Sequence, residues 1–201
     1  MVKKVLLGRL FKIESLISIS LLFMLIVSTP SVYAADEVKI PDKITLDEGK
    51  GELVLNGAGT RRKFGFKVYE GALYLQAKST DSKKIIEADE PMAITMLWKR
   101  DVSKDKTLEV FTDGFKYGAG ANYDAQKSNI DSFLKNLVDA AEKDLWRYIY
   151  IPGKGTSIYY NDKSVATIAG VDFKKALFSI WLLEDGTFKG DSDLRKGMLG
   201  K

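Results

Sequence analysis

The stretch Leu53-Val-Leu-Asn-Gly-Ala-Gly-Thr-Arg61-Arg-Lys-Phe-Gly-Phe-Lys67-Val-Tyr69-Glu-Gly-Ala-Leu-Tyr74-Leu75 decides how the chain folds. Residues 52–55 and 64–75 are β-rich and flank a middle of glycine and arginine, so together they read as a hairpin. Taken alone, Asn56-Gly57 is the strongest local turn signal in the chain. Working outward, residues 38–40 and 44–46 are short β-rich pieces around Pro41. Met92–Trp98 is an apolar run suited to a mostly buried strand.

The next section is helical in pattern. Ser103 can cap a helix carrying Leu108, Phe111 and Phe115, which Gly118 and Gly120 end. Asn129 opens a second, with Ile130, Phe133, Leu134, Leu137, Val138 and Ala141 at helical spacing. Three β-rich runs follow at 146–151, 157–160 and 165–168, separated by polar and glycine turns. Asp172 is placed to cap a helix with Phe173, Ala176, Leu177, Ile180 and Trp181 on one face, and a short helix at 193–199 closes the chain. Strands, helices, strands and helices come in blocks without βαβ alternation, which predicts an α+β fold with an antiparallel sheet.

Of the 201 residues none is cysteine and none histidine. The first absence excludes disulfides, thiolate nucleophiles and Cys-rich metal sites. The second excludes catalytic triads built on imidazole and imidazole ligation of zinc or haem. Any chemistry must run on Asp, Glu, Lys, Arg, Tyr, Ser or Thr.

The first 34 residues have the anatomy of a secretory signal peptide. Lys3, Lys4, Arg9 and Lys12 form a basic start, residues 16–27 are apolar, and small residues lead to a cut expected after Ala34. A run of twelve residues reaches only about 18 Å as a helix, short of the ~30 Å hydrocarbon core, so a membrane anchor fits less well. A periplasmic or secreted location is expected, with the folded domain at 35–201 and no stable membrane insertion after cleavage. Removing four basic residues and Glu14 from 31 and 27 leaves 27 and 26, so a net +4 becomes +1. At that bulk charge neither nucleic acid nor anionic lipid is supported as a partner, and no Lys/Arg block with interleaved aromatics is expected to restore it.

Other motifs fail on context. Gly57-Ala-Gly59 begins like a dinucleotide fingerprint, but Arg62 stands where the third glycine belongs and a strand follows instead of a helix. Gly153-Lys-Gly155-Thr156 lacks the earlier glycine of a phosphate loop and reads as a hairpin turn. Asp191 and Asp193 lack calcium-loop spacing. Tyr148, Tyr150, Tyr159 and Tyr160 read as a half-buried sheet surface.

The Gly-Ala-Gly-x-Arg step, the Phe-Lys-Val-Tyr…Leu-Tyr-Leu strand and the closing segments at 171–182 and 193–200 together resemble the chalcone isomerase-like family. The resemblance spans about 38–201. It implies an open-faced β-sandwich, a large antiparallel sheet with helices packed on one face. The family includes isomerases that close a chalcone to a flavanone, fatty-acid-binding members, haem-binding relatives and members without known chemistry. Arg61 matches the arginine that polarises substrate, and Ser179 matches a late Ser/Thr of the cleft. The position of a cleft threonine falls on Tyr69, where the fatty-acid-binding branch carries tyrosine. The Tyr/Asn pair of the isomerases falls on Ser103 and Val110, and no such pair lies nearby.

The resemblance therefore implies non-catalytic binding of an amphipathic, fatty-acid-like anion, with Arg61, Tyr69 and Ser179 as ligand-binding residues and neither metal nor cofactor. Physically, a guanidinium and a phenol facing an apolar cleft suit a carboxylate on an apolar tail: arginine offers a planar fork and tyrosine a further bond. Three rivals stand beside it. One is an isomerase with Arg61 as oxyanion stabiliser; one is haem binding through a non-histidine ligand; one is a scaffold with an occluded cleft. Each residue also has a plain alternative. Arg61 could be a surface turn residue beside Arg62 and Lys63, Tyr69 a sheet tyrosine, and Ser179 a small residue in a helix-packing seam.

Overall fold

In the computed structural model, β2 (Glu52–Lys63) and β3 (Phe66–Leu75) form a long hairpin within a seven-stranded sheet. The described residues are 39–46, 51–188 and 192–201, so the signal-peptide reading of 1–34 lies outside them. The other strands are β1 (Lys43–Thr45), β4 (Met92–Trp98), β5 (Leu145–Ile151), β6 (Gly155–Tyr160) and β7 (Lys163–Ile168). Neighbours follow chain order, and every pairing is antiparallel. Residue 38 of the expected 38–40 strand is outside the described residues, and 39 and 40 are not in a strand.

The turn expected at Asn56-Gly57 does not form. Asn56 is instead a bulge between the pairs Leu55↔Tyr74 and Gly57↔Leu73. Its buried side chain donates to the Met198 carbonyl at 2.9 Å and accepts from the Ser79 amide at 2.8 Å. Those tertiary bonds outweigh the turn preference of the dipeptide, and the strand continues to Lys63. The chain reverses at Phe64-Gly65, whose φ angles of 51° and 82° have the double-positive pattern of a two-residue type I′ turn.

Five helices join the sheet: α1 (Ser82–Glu87), α2 (Lys104–Ala119), α3 (Tyr123–Leu134), α4 (Val171–Leu182) and α5 (Ser192–Met198). The second expected helix begins six residues early, because a 3-10 turn at Gly120–Asn122 leads straight from α2 into α3. It also ends at Leu134. Leu137 and Ala140 are buried from extended chain, with Ala140 bridging to Val102. The cap of α4 is Gly170, and Asp172 sits in the first turn instead. The short α1 has no counterpart in the sequence reading; Asp81 caps it by accepting from the Lys84 amide at 3.0 Å.

One sheet face carries the main core. Tyr69, Leu73, Met96, Trp98, Trp146, Tyr148 and Tyr150 pack there with Phe111, Phe115, Phe133 and Phe173 from the helices. Every residue of β4 is buried. Tyr148 and Tyr150 are thus core residues, whereas Tyr159 and Tyr160 are half-buried as expected. On the opposite face Ile44, Leu46, Leu53, Ala72, Tyr74 and Ala93 make a smaller cluster. This is an α+β sheet-and-helix architecture. Among the described residues, no helix is long and apolar enough to cross a membrane.

One charge is buried in the helical layer. Lys174 on α4 is fully covered, and its Nζ donates to the Ile86 and Ala88 carbonyls at 2.6 Å each. It thereby satisfies carbonyls at the C-terminal end of α1, which a helix end otherwise leaves without partners. Its ammonium also stands 5.5 Å from the Tyr150 ring centroid.

Candidate functional site

Strand pairing brings three side chains into a row. Arg61 on β2 lies opposite Tyr69 on β3, and Tyr69 lies opposite Trp98 on β4. Alternation along a strand puts directly opposed residues on the same face, here the helix-covered one. Tyr69 and Trp98 meet edge to face with centroids 5.4 Å apart, and the Arg61 guanidinium stands 5.0 Å over the Phe188 ring. The Tyr69 hydroxyl accepts from Trp181 Nε1 at 3.0 Å, which ties the row to the last turn of α4.

The row borders a cavity of about 460 Å³. Met96 and Trp98 form its sheet side, Thr107, Val110 and Phe111 of α2 one wall, and Ile180, Trp181 and Phe188 another. These walls are apolar because α2 and α4 turn their hydrophobic stripes inward over the sheet. Charge is confined to the lining residues Arg61, Lys63, Arg100 and Lys106 against Asp101, a balance of four to one. An apolar chamber with cationic groups suits a molecule with a greasy body and an anionic end.

Trp98 adds a feature that sequence reasoning missed. It is 3% exposed and lines the cavity, yet its Nε1 has no hydrogen-bond partner among the described residues. A buried N–H without an acceptor is uncommon and calls for an explanation. A ligand acceptor supplies one. The only signal in the sequence was the last position of an apolar run, which reads as core.

The neighbouring phenol cannot serve as a base near neutrality. Burial, and then proximity to Tyr69, push Tyr148 well above the ordinary tyrosine value. Its hydroxyl donates to Met96 Sδ at 3.6 Å.

Of the three residues expected to bind ligand, Arg61 and Tyr69 are brought together at the cavity and Ser179 is not. Ser179 is buried where α2 crosses α4; a Cβ on Gly118 would stand 3.2 Å from its own and 2.2 Å from the Ala176 carbonyl oxygen. It is a small residue in a tight helix seam. Ser103 and Val110, which the resemblance aligned with the isomerase Tyr/Asn pair, both line the cavity. Among the described residues no group of acidic side chains could hold a metal ion.

The sequence profile of chalcone isomerase-like proteins matches residues 33–200. The fold is similar to the crystal structure of a fatty-acid binding protein from Arabidopsis thaliana, with a TM-score of 0.59 and 15% identity, over 80% of this chain and 90% of that one. At that identity the likeness speaks for the fold alone. A search of curated protein sequences finds no match.

Proposed function

The chain belongs to the chalcone isomerase-like family, and from that premise we propose that it binds an amphipathic, fatty-acid-like anion without transforming it. The observation that carries this reading is the Arg61–Tyr69 pair at the border of an apolar cavity with four cationic lining residues. A carboxylate would take bonds from the Arg61 guanidinium and the Tyr69 phenol, with Trp98 Nε1 as a further donor; the tail would lie against Met96, Val110, Phe111 and Ile180. That the structurally similar plant protein is a fatty-acid binding protein supports the same class of ligand.

The test is titration of delipidated protein with a long-chain fatty acid. Arg61→Ala removes a bond to a charged group, worth about 1.5–3 kcal/mol, so affinity should fall roughly 10- to 100-fold. Unchanged affinity would sink the assigned head-group site. We also place the protein outside the cytoplasm. The protein isolated from its cells should begin at Ala35, and retention of residues 1–34 would count against export.

The two chemical rivals have less support. On the wall of α2 the isomerase positions are a serine and a valine, and Val110 can neither donate nor accept a proton. Cyclisation of a chalcone well above its spontaneous rate, lost in Arg61→Ala, would reverse this preference. For haem, the tyrosine and methionine at the cavity fit poorly as iron ligands: Tyr69 is bonded to Trp181 and Met96 to Tyr148.

A further inference from the structure

The hairpin that carries Arg61 ends in Arg61-Arg62-Lys63-Phe64-Gly65-Phe66-Lys67, four cations and two phenylalanines with no acidic residue. Phe64 is 90% exposed and Phe66 65%, the two highest values among exposed large hydrophobic residues described. Folding does not account for them, because neither buries its ring in the core. Turn chemistry accounts for Phe64 even less. It has φ 51°, a left-handed conformation that Gly or Asn adopts readily and a bulky residue rarely does. A residue that opposes the local preference and is not buried points to a role outside the fold.

We propose that this tip docks on an anionic phospholipid bilayer. Phe64 and Phe66 would enter the interface, while Arg62, Lys63, Lys67 and Arg100 would meet lipid phosphates. The placement of the charges favours lipid: the Lys63 ammonium is 5.8 Å from the Phe64 ring and the Arg100 guanidinium 5.5 Å from the Phe66 ring. Each apolar wedge therefore carries its own cation, the pairing found where a protein meets a charged membrane surface. The bulk charge of +1 expected once residues 1–34 are removed conceals this, and, against the expectation from sequence, a block of cations with interleaved aromatics is present at 61–67. Averaging over the whole chain cancels a charge concentrated at one end of the sheet.

Phe64 and Phe66 also line the cavity. Docking would set its opening against the bilayer, so an amphipathic anion could move between lipid and protein without crossing water. That transfer rests on the binding reading; the docking itself does not. Fatty-acid titration without vesicles therefore reads the cavity separately, and either result can fail alone.

The experiment uses protein purified from its producing cells and a Phe64→Trp variant. The three native tryptophans, Trp98, Trp146 and Trp181, are all buried, so a new one at the tip supplies the exposed signal. With phosphatidylglycerol vesicles at low salt, its emission should shift to the blue and be quenched by brominated lipid. Pure phosphatidylcholine vesicles, or 1 M salt, should weaken binding at least tenfold. In co-sedimentation, Phe64→Ser/Phe66→Ser and, separately, Arg62→Glu/Lys63→Glu should each lose at least tenfold. No quenching on anionic vesicles, equal binding to neutral ones, or wild-type sedimentation by both double variants would overturn the proposal. So would a concentration-dependent dimer abolished by Phe64→Ser/Phe66→Ser, which would assign the tip to a second copy of the chain.

Discussion

A Cβ placed on Gly57 would stand 2.1 Å from the carbonyl oxygen of Gly197. Strand β2 and helix α5 are in backbone contact at that point, and Gly59 repeats the relationship 2.3 Å from the Leu194 carbonyl oxygen. The Gly-Ala-Gly step that begins like a dinucleotide fingerprint is a landing strip for a helix. Overpacking a rigid backbone contact costs about 1–3 kcal/mol. Gly57→Ala should therefore lower the free energy of urea unfolding by at least about 2 kcal/mol. Gly65, with open space around its missing Cβ, is the contrasting site, since only its φ of 82° resists substitution.

That contact also shows what the sequence could and could not convey. Hydrophobic spacing made the block order, the antiparallel sheet and the inward faces of α2 and α4 legible, because periodicity is a local property. Asn56-Gly57 misled because its bonds to Met198 and Ser79 join residues 142 and 23 positions away. Arg61 and Tyr69 were legible only through resemblance, since composition would have left the arginine in solvent. Their opposition follows from a register set by the turn at Phe64-Gly65 and by a second bulge, at Val68, between the pairs Arg62↔Lys67 and Arg61↔Tyr69. Neither is visible from spacing, and a one-residue slip would send Arg61 to the other face. Trp98 could not be found because an unsatisfied N–H exists only in the packed structure.

Tyr69→Phe should separate stability from binding. The change leaves Trp181 Nε1 buried without its acceptor, a loss of about 1–3 kcal/mol. Replacing both partners, Tyr69→Phe with Trp181→Phe, should cost less than the sum of the single changes, because no orphaned donor remains. Arg61→Ala, half-exposed and outside this bond, should reduce fatty-acid affinity with a smaller effect on unfolding. A double-mutant cycle by urea denaturation, with ligand titration of each variant, checks all three.

The pH profile should carry a signature of Lys174. Burial lowers its value from 10.5 to about 8, with Lys175 adding repulsion and Asp89, Glu87 and Glu90 opposing it. Between pH 8 and 10.5 the unfolded chain then binds more protons than the folded one, so stability rises with pH across that window. Above pH 10 the phenols act oppositely. Burial and hydrogen bonding set Tyr160 to about 12, so the unfolded chain ionises first and stability falls. Urea midpoints should climb from pH 8 towards 10 and then decline. Lys174→Met should abolish the climb, and an unchanged slope in that variant would show that another group titrates.

Phe64 sets local stability against the proposed docking. Its φ of 51° is a conformation that L-residues with a large side chain adopt at a cost of about 1–2 kcal/mol, and its exposure means no burial offsets that cost. Asn occupies the first central position of a type I′ turn far more readily and would create the Asn-Gly pair these hairpins prefer. Phe64→Asn should therefore raise the unfolding free energy by about 1 kcal/mol while weakening association with phosphatidylglycerol vesicles. The two effects have opposite signs, which separates them from general damage to the fold. If the variant were stabilised and bound vesicles as well as the wild type, the phenylalanine would have no part in docking. If it were destabilised, the ring would be making a contact the fold depends on.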